Sequence, residues 1–585
     1  MLLFSFRKVL TVAPIFMVLV LDENIAAQPA CKEPADTSFR TVTMATTSLG
    51  EVPNSGGNGP VQIAVDPEGK VYVAMMRTGE IRMITPGSTA ATLIGTIPTY
   101  FATEDGLLGI ALAPNFTASH WIYAFYSDPA TSGANRACEL ARFTITNNQL
   151  TQKKVILRFP RDPNERSHAA GGLALDGTGL LVVGTGDNTN PHDGTNQGYG
   201  PVNEGSPTGD AQRTSSNSMD LRGKVLRIRP ILFPDTQTPT PGIGGTYTIP
   251  AGNLHEVIAA LPNWNNQNVD LVRKEIYSMG HRNPYHARID TRTQWIFFGE
   301  VGPDAESSSP TRGPQGHDEW NLVKAPGFFG HPYCNGMNMA YGAYPGYTAK
   351  YNCAMPVNNS PNNTGIKNLP PATLPLAAYA NSDNDVRFGS PGGETAIGSP
   401  MYRYDPKLVS TVKFPPFFEG KVVFFEWARR IFRVITLGPT GTLASTASAV
   451  KPFAPKGLTT QFSYIDAQFG PKGELYLLKY SDDNYSIGAG PALYRIEYTG
   501  AYDDSCYVPF GPDNIGTQIK KNVKPFASLH GKGFYQLPAG YRSLELFDLS
   551  GRKVWTYRRE NAVHALEVPL PGNLSKGVFQ ARLLP

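Results

Sequence analysis

Two residue types that cooperate in proton transfer stand close together in the stretch SHAAGGLALDGTGLLVVGTGD, which runs from Ser167 to Asp187. His168 and Asp187 are 19 positions apart, and the run GLLVVGTGD predicts a buried strand between glycine-rich turns. A hairpin-like unit of this kind returns its two ends to one side of a sheet. An imidazole held by a carboxylate suits a general base, because the carboxylate fixes the tautomer and stabilises the imidazolium. The alternative is a structural histidine and an ordinary turn residue at a strand end.

The unit that carries this pair recurs along the chain as an apolar run, a turn with Pro, Gly or Asp, and a second apolar run with an aromatic residue. Copies begin at Ile63, Ile110, Leu173, Ala287 and Ala467, and a looser copy begins at Met401. One antiparallel sheet cannot bury both of its faces, whereas radial packing covers each face with a neighbour. The six copies therefore predict an all-β fold, a six-bladed β-propeller. A large β-sandwich is the alternative.

The longest segments between copies are rich in polar residues. One runs from Asn188 to Asn268 and the other from Pro303 to Gly398. Long polar loops around the mouth of a central channel are a usual place for a binding or catalytic site.

Composition excludes some functions for the 585-residue chain. A formal charge of +4 with 17% charged residues does not provide the concentrated basic face of a nucleic-acid-binding protein. After the N-terminus, no stretch reaches the roughly 18 consecutive apolar residues of a membrane-spanning helix.

The N-terminus and the cysteines predict export from a bacterial cell, to the medium or the cell surface. Arg7 and Lys8, an apolar run and the segment NIAAQPA are typical of a signal peptide, assigned to residues 1–27. In an exported chain, five cysteines allow two disulfide bonds and leave one thiol. The first expected pair is Cys334 with Cys353. The second is Cys31 with Cys506, which leaves Cys138 as a buried, inert thiol.

The pattern of the sequence changes after Cys506, from the repeated unit to a linker and several short predicted strands. We expect the propeller to span residues 28–506, a linker to span 507–524, and a small β-sandwich-like domain to span 525–585. Through FDLSGRKVW and SKGVFQARL, this tail resembles the C-terminal sorting domains of bacterial type IX-like secretion, which implies attachment at the cell surface. A small carbohydrate-binding or adhesion domain is the alternative.

The main segment resembles the soluble glucose/sorbosone dehydrogenase family, whose members depend on pyrroloquinoline quinone (PQQ). Besides the stretch at Ser167, the matching motifs are EDGLLGIALAPNF, LRGKVLRIRP, EIYSMGHRNPYHARID, GEVGPDA, GHDEWNLVKAPGFFGHPY and DAQFGPKGELYLL. The resemblance implies a six-bladed propeller that holds the quinone across its mouth with calcium beside it.

The resemblance also implies roles for single residues. His168 would be the base that takes the hydroxyl proton at the anomeric carbon of a sugar, and Asp187 would orient it. Arg282 and Asn283 would contact the quinone, since a planar guanidinium can meet carboxylates and quinone oxygens with two hydrogen bonds. Glu104 stands near a glutamine of the family that contacts the sugar.

The remaining implied residues surround the cofactor. Backbone carbonyls of Gly302 and Pro303 would bind calcium, a cation that prefers oxygen ligands. Asp318 and Glu319 fall on an acidic pair near the cofactor, and their alternative role is to accept backbone amides of the turn. Arg429 stands near a lysine that contacts the quinone. The chain departs from the family at Ser463 and Ile465, where the well-studied glucose oxidisers carry arginines.

Three functions are compatible with these residues. The first is a secreted PQQ-dependent sugar dehydrogenase that passes electrons to an external acceptor. The second is a non-catalytic propeller that binds glycan or protein at the cell surface. The third is a calcium-dependent lactonase, which the histidine motif fits poorly.

Overall fold

The repeated sequence unit folds as two antiparallel strands joined by a turn that an aspartate closes. Asp66 and Asp176 each use one carboxylate oxygen to accept two backbone N–H groups of the turn that follows, at 2.8 to 2.9 Å. This hydrogen bonding explains why an aspartate recurs between the two apolar runs of the pattern.

The structure is a computed structural model. It describes residues 31–46, 49, 59–129, 136–165, 167–385, 387–444, 446–482 and 490–511, and five strands between residues 534 and 584. The expected signal peptide, residues 1–27, lies outside the described residues, as does most of the expected linker.

The strands of the main segment are arranged as the six blades of a β-propeller, and blades three and four are joined in one sheet where Gly171 of β10 pairs with Tyr285 of β15. The first strand, β1 (Phe39–Ala45), belongs to the last blade. Blade one contains β2 (Pro60–Val65), β3 (Val71–Met75), β4 (Glu80–Ile84) and β5 (Thr92–Thr96). Blade two contains β6 (Leu107–Leu112), β7 (Trp121–Ser127), β8 (Ala137–Thr146) and β9 (Gln149–Pro160). Blade three contains β10 (Ala170–Leu175), β11 (Leu181–Thr185), β12 (Lys224–Pro230), the short β13 (Tyr247–Thr248) beside β12, and β14 (Ile276–Met279).

The second half of the ring is less regular. Blade four contains β15 (Pro284–Ile289), β16 (Ile296–Glu300) and β17 (His317–Val323), and β18 (Gly327–Phe328) pairs with β14. A small hairpin of β19 (Cys334–Asn335) and β20 (Met339–Ala340) follows, and β21 (Ala377–Ala380) completes blade four. Blade five contains β22 (Val422–Glu426), β23 (Ile431–Ile435) and β24 (Val450–Pro452). Ala396 and Met401 form isolated β-bridges with the two ends of β22. Blade six contains β25 (Ser463–Phe469), β26 (Leu475–Ser481) and β27 (Ala492–Tyr498).

Helices are short in the described residues. They are α1 (Phe116–Ser119) and α2 (Leu254–Val257), with 3₁₀ turns at Asp36–Ser38, Pro207–Gly209, Ile258–Ala260, Val269–Leu271, Pro416–Phe418, Ala447–Ala449 and Asp504–Cys506. In the part of the chain that the structure describes, no helix is long and apolar enough to cross a membrane.

The two ends of the propeller meet in blade six and close the ring. β1 pairs antiparallel with β27, with Phe39 opposite Tyr498. The Cys31–Cys506 disulfide lies at the same junction. This pair, the Cys334–Cys353 disulfide and the buried free thiol of Cys138 confirm the expected cysteine arrangement.

Two buried side chains on the innermost strands join the blades at the centre. Gln62 of blade one accepts the N–H of Ile110 in blade two at 2.8 Å, and it exchanges two hydrogen bonds with the backbone of Leu173 in blade three. Asp466 of blade six accepts the N–H of Ile63 in blade one at 2.8 Å.

The same carboxylate of Asp466 reaches across the ring to blade four. It forms an ion pair with Arg288, and the His286 imidazole nitrogen lies 3.4 Å away. Gln62 and Asp466 therefore hold five of the six blades together, and we call them the axial polar cluster.

The two long polar insertions pack on one another. Ser360 donates to Asp210 at 2.7 Å, and Asn358 donates to the carbonyl of Gln212 at 2.8 Å. The loop between β20 and β21 thereby packs against the loop that follows β11, which carries Asp187 at its start.

The described strands after the propeller form two small sheets. β28 (Phe534–Leu537) pairs with β31 (Leu566–Pro569), while β29 (Ser543–Phe547) lies between β30 (Lys553–Arg558) and β32 (Gln580–Leu584). Short strands here agree with the expected β-rich tail. Its role as a sorting domain stays a prediction, and so do the domain boundaries.

Candidate active site

His168 and Asp187 meet as the sequence predicts, across the open end of the β10–β11 hairpin. The Nδ1 atom of His168 lies 2.7 Å from Oδ1 of Asp187. The chain brings them together through Gly186, where a Cβ atom would stand 1.8 Å from the carbonyl oxygen of His168. His168 itself has a φ of +53°, a left-handed conformation that costs energy for a residue with a side chain.

Asp187 is completely buried and accepts four hydrogen bonds. Oδ1 accepts from His168 and from the backbone N–H of Thr189 at 3.0 Å. Oδ2 accepts from the hydroxyl of Thr189 at 2.7 Å and from Nε2 of His331 at 2.8 Å. Burial by itself raises the pKa of Asp187, but the two imidazoles outweigh it and hold the pKa well below its usual value.

The ionised state of Asp187 fixes the tautomer of His168. An ionised carboxylate only accepts hydrogen bonds, so the proton of a neutral His168 resides on Nδ1. Its Nε2 atom then carries a lone pair. This is the protonation state that a general base requires.

Sequence reasoning missed His331. It stands 144 positions from Asp187, in the motif GHPY of the second long insertion. Burial lowers the pKa of His331, despite the hydrogen bond to Asp187 and its charge. A histidine in the motif was visible in the sequence, but only the packing of the insertions reveals its partner.

Arg282 lies beside this pair, and its predicted contact with the quinone stays a prediction. Its backbone carbonyl accepts the N–H of Asp187 at 2.7 Å. The guanidinium is buried, and it donates to Asp304 at 2.9 Å and to the carbonyl of Val301 at 3.2 Å. Burial opposes the charge of Arg282, but Asp304, Asp187, Glu104 and Asp318 raise its pKa above the usual value.

Two polar atoms at Arg282 and Asn283 have no hydrogen-bond partner in the described part of the chain. They are the Nε atom of Arg282 and the Oδ1 atom of Asn283, and both are buried. A Cβ atom on Gly186 would lie 3.1 Å from this Oδ1 atom, which places Asn283 next to the His168–Asp187 pair. An unpaired buried donor and acceptor are costly in a protein, so these atoms fit the edge of a bound polar group.

Glu104 also reaches this region. Its Oε2 atom accepts the backbone N–H of Ala169 at 3.3 Å. Glu104, the predicted sugar contact, therefore lies against the backbone that follows His168. One of its two carboxylate oxygens is occupied by this hydrogen bond.

Asp318 accepts backbone amides, the role that the sequence offered as the alternative, whereas Glu319 accepts side-chain amides, and contact of either residue with a cofactor stays a prediction. Asp318 accepts the N–H of Gly302 at 2.8 Å and the N–H of Ala396 at 2.7 Å. Glu319 accepts from the amides of Asn321 and Asn335 at 3.2 and 3.3 Å. Burial raises the pKa of Asp318 to about 6, and burial together with Glu300 raises the pKa of Glu319.

The predicted calcium ligands lie on the turn that Asp318 holds. Gly302 donates its N–H to Asp318, and the carbonyl of Pro303 lies against Gly316. Among the described residues, no three His, Cys, Asp or Glu side chains gather as a metal site. Calcium binding by main-chain carbonyls stays a prediction.

Arg429 uses its guanidinium within the protein. It donates to the carbonyls of Gly393 at 2.9 Å and Ala380 at 2.6 Å, with longer contacts to four other carbonyls of the same loop at 3.2 to 3.4 Å. It also packs 4.4 Å from the Tyr379 ring. These contacts secure the loop over residues 380–393, so the structure gives Arg429 a loop-holding role in addition to any contact with a cofactor.

The positions that depart from the family carry no cation. Ser463 donates its hydroxyl to the carbonyl of Trp427 at 3.1 Å. Ile465 is 7% exposed and belongs to a hydrophobic cluster. Arg282, whose carbonyl accepts the N–H of Asp187, supplies a cation close to the His168–Asp187 pair.

Comparison with known proteins identifies two sugar dehydrogenases that are similar to this chain. The chain is 23% identical over 278 residues to the aldose sugar dehydrogenase YliI of Escherichia coli strain K12, covering 47% of this chain and 58% of that protein. It is 24% identical over 310 residues to quinoprotein glucose dehydrogenase B of Acinetobacter calcoaceticus, covering 50% of this chain and 55% of that protein. The chain therefore spans little more than half the length of these relatives.

One solved structure to which the chain is similar is the PQQ-bound form of aldose sugar dehydrogenase from Streptomyces coelicolor. It is 18% identical with a TM-score of 0.44, covering 79% of this chain and 98% of that one. Residues 58–239 and 256–365 match the model of the Glucose / Sorbosone dehydrogenase family. These residues, just under half of the chain, include His168, Asp187, Arg282 and His331, and over them the chain is similar to the glucose/sorbosone dehydrogenase family.

Proposed function

We propose that the protein is a PQQ-dependent dehydrogenase that oxidises the anomeric carbon of an aldose to the lactone. The observation that carries the proposal is the His168–Asp187 pair, in which hydrogen bonding leaves a basic lone pair on Nε2. The family match supports the reaction class, and the names of the relatives support aldoses as the substrate class.

The residues of the chain perform the proton half of this oxidation. His168 takes the proton of the C1 hydroxyl at Nε2, and Asp187 stabilises the imidazolium that results. The charge of Asp187 is available at neutral pH because its pKa lies well below the usual value. The proton leaves His168 for solvent before the next turnover.

The unpaired atoms beside the base fit the cofactor that the family implies. Arg282 Nε can donate to a quinone or carboxylate oxygen, and Asn283 Oδ1 can accept a ring N–H of PQQ. PQQ supplies, when bound, the two-electron acceptance that no side chain of this protein provides. The main-chain carbonyls of Gly302 and Pro303 would hold calcium in the same region.

The test is reconstitution of the purified protein with calcium and PQQ, followed by assay of an aldose panel with a dye acceptor. We expect oxidation of at least one aldose, and a rate at least about a hundredfold lower for His168→Ala. His255→Gln, a histidine substitution in α2, is the matched control and should retain the wild-type rate. Failure to oxidise any aldose, together with no absorbance change on titration with PQQ, would refute the proposal.

A second function, a non-catalytic glycan-binding propeller, is favoured by one observation. Ser463 and Ile465 provide no cation for a cofactor with three carboxylates, and Arg429 is engaged with its own loop. Such a protein would bind oligosaccharide equally well before and after His168→Ala. The titration with PQQ separates the two functions.

We also propose that the protein acts outside the cytoplasm and passes its electrons to an external acceptor. Two disulfide bonds support an oxidising compartment. Immunodetection of the chain on intact cells and in the medium, with and without residues 525–585, tests both export and attachment by the tail.

A further inference from the structure

His331 offers an inference that deepens the proposed function and rests on it. We propose that His331 is a positioning residue, which holds Asp187 from the side opposite His168 and thereby lowers the proton affinity of His168. The contact that carries the proposal is the 2.8 Å separation of His331 Nε2 and Asp187 Oδ2. The three side chains form a continuous chain of imidazole, carboxylate and imidazole.

The direction of the hydrogen bond follows from the charges. Asp187 is ionised and cannot donate, so Nε2 of His331 carries the proton and donates it. Burial lowers the pKa of His331, which keeps this imidazole neutral at pH 7. His331 therefore stabilises the carboxylate without adding a second positive charge beside the base.

His331 affects His168 through Asp187, because both imidazoles hydrogen-bond to the same carboxylate. Each donor to Asp187 withdraws some of the charge that would otherwise stabilise protonated His168. With His331 in place, Asp187 still fixes the tautomer of His168 but binds its imidazolium less strongly. The base then releases its proton more readily between turnovers.

The position of His331 is fixed independently of Asp187. Its backbone N–H donates to the carbonyl of Gly280 at 3.0 Å, and its side chain is 5% exposed. The carbonyl of His331 also lies 3.4 Å from the Ser215 hydroxyl. These contacts attach the second insertion to blade three and fix the main chain that carries the imidazole.

Other charges face these groups and must be kept constant in a test. Arg282 and Glu300 act on His331, and Arg282 and Lys224 lie within electrostatic range of Asp187. Glu104 and Glu165 approach the backbone on either side of His168. A substitution at His331 leaves all five of these side chains in the protein.

Two substitutions at His331 separate hydrogen bonding from packing. His331→Leu fills the space without a donor, whereas His331→Gln places an amide N–H close to the position of Nε2. We expect the pKa of His168 to rise by about one unit in His331→Leu and to stay near the wild-type value in His331→Gln.

The primary measurement is the titration of His168 by ¹⁵N-histidine NMR, which needs neither PQQ nor sugar. His168→Gln assigns the resonance, and His255→Gln is the matched control. In the reconstituted enzyme, the acidic limb of the pH profile of kcat should move upward by the same amount in His331→Leu, with about a tenfold loss of kcat at any fixed pH well down that limb.

The outcomes distinguish this inference from the proposed function. An unchanged His168 pKa in a folded His331→Leu protein would overturn the inference, and so would an equal shift in His331→Gln. If the NMR shift is present while the wild-type protein oxidises no aldose, the inference on His168 stands and the proposed function falls. Should His331→Leu fail to fold, His331→Met, which also lacks a donor, takes its place in the titration.

Discussion

Asp187→Asn is the substitution that most directly tests the role of the buried carboxylate. The amide of asparagine can accept on one side only, so it cannot serve all four donors of Asp187. If its oxygen faces His168, the tautomer of the base is kept, and a neutral His331 can accept from the amide N–H by changing its own tautomer. Under this arrangement the variant loses the negative charge while the hydrogen-bond geometry survives.

The charge determines the size of the effect. With charge centres about 4 Å apart and an effective dielectric constant of about 20, the carboxylate stabilises the His168 imidazolium by about 4 kcal/mol. Since about 1.4 kcal/mol changes a rate tenfold, kcat should fall about a thousandfold. Loss of the tautomer as well would make the decrease larger.

The assay is steady-state oxidation by the reconstituted enzyme, with C1-deuterated sugar to establish that the chemical step limits the rate. Asp270→Asn, an exposed aspartate, is the matched control and should change kcat less than twofold. PQQ affinity should be unchanged in Asp187→Asn, because the carboxylate faces the two histidines. A loss of less than tenfold, with an isotope effect on the wild-type rate, would refute the role given to the charge.

Two further predictions concern stability. Asp466→Ala should lower the free energy of unfolding by about 3–5 kcal/mol, since it leaves the partly buried charge of Arg288 without its partner. Denaturant titration measures this loss. A change under about 1 kcal/mol would contradict the stabilising role given to the axial polar cluster. Burial and the charge of Asp318 raise the pKa of Glu394 to about 9. Because the folded protein binds this proton more tightly than the unfolded chain, stability falls as the pH rises from about 4 to about 9. Glu394→Gln should therefore melt at a higher temperature than the wild type at pH 8 and at a similar temperature at pH 4. If the variant and the wild type melt at the same temperature at both pH values, the raised pKa of Glu394 is contradicted.

Local sequence patterns predict the blades because each blade begins as a contiguous hairpin. The alternation of apolar runs around Asp66 and Asp176 contains both strands and the side chain that closes the turn. The His168–Asp187 pair was visible for the same reason, since both residues flank a single hairpin. The predicted disulfides depended only on cysteine positions and on the expectation of a closed ring.

Contacts between distant segments explain what the sequence did not reveal. Gln62 and Asp466 look like ordinary polar residues in apolar strands, and their partners lie in other blades. His331 meets Asp187 because two insertions fold over the same end of the propeller. The hydrogen bonds of Arg429 to its own loop were also hidden, because loop conformation sets them.

The construction of the His168 site argues for catalysis over a purely structural use. Burying an ionised carboxylate with two imidazoles costs desolvation free energy, and apolar side chains of similar volume usually give equal or greater stability. His168 adds the cost of a left-handed backbone, and Arg282 and Asn283 add unpaired buried atoms. Such costs cluster in one place when the surrounding structure is arranged for a bound group. The same region therefore supports a base and a binding edge together, and a glycan-binding propeller would need only the binding edge.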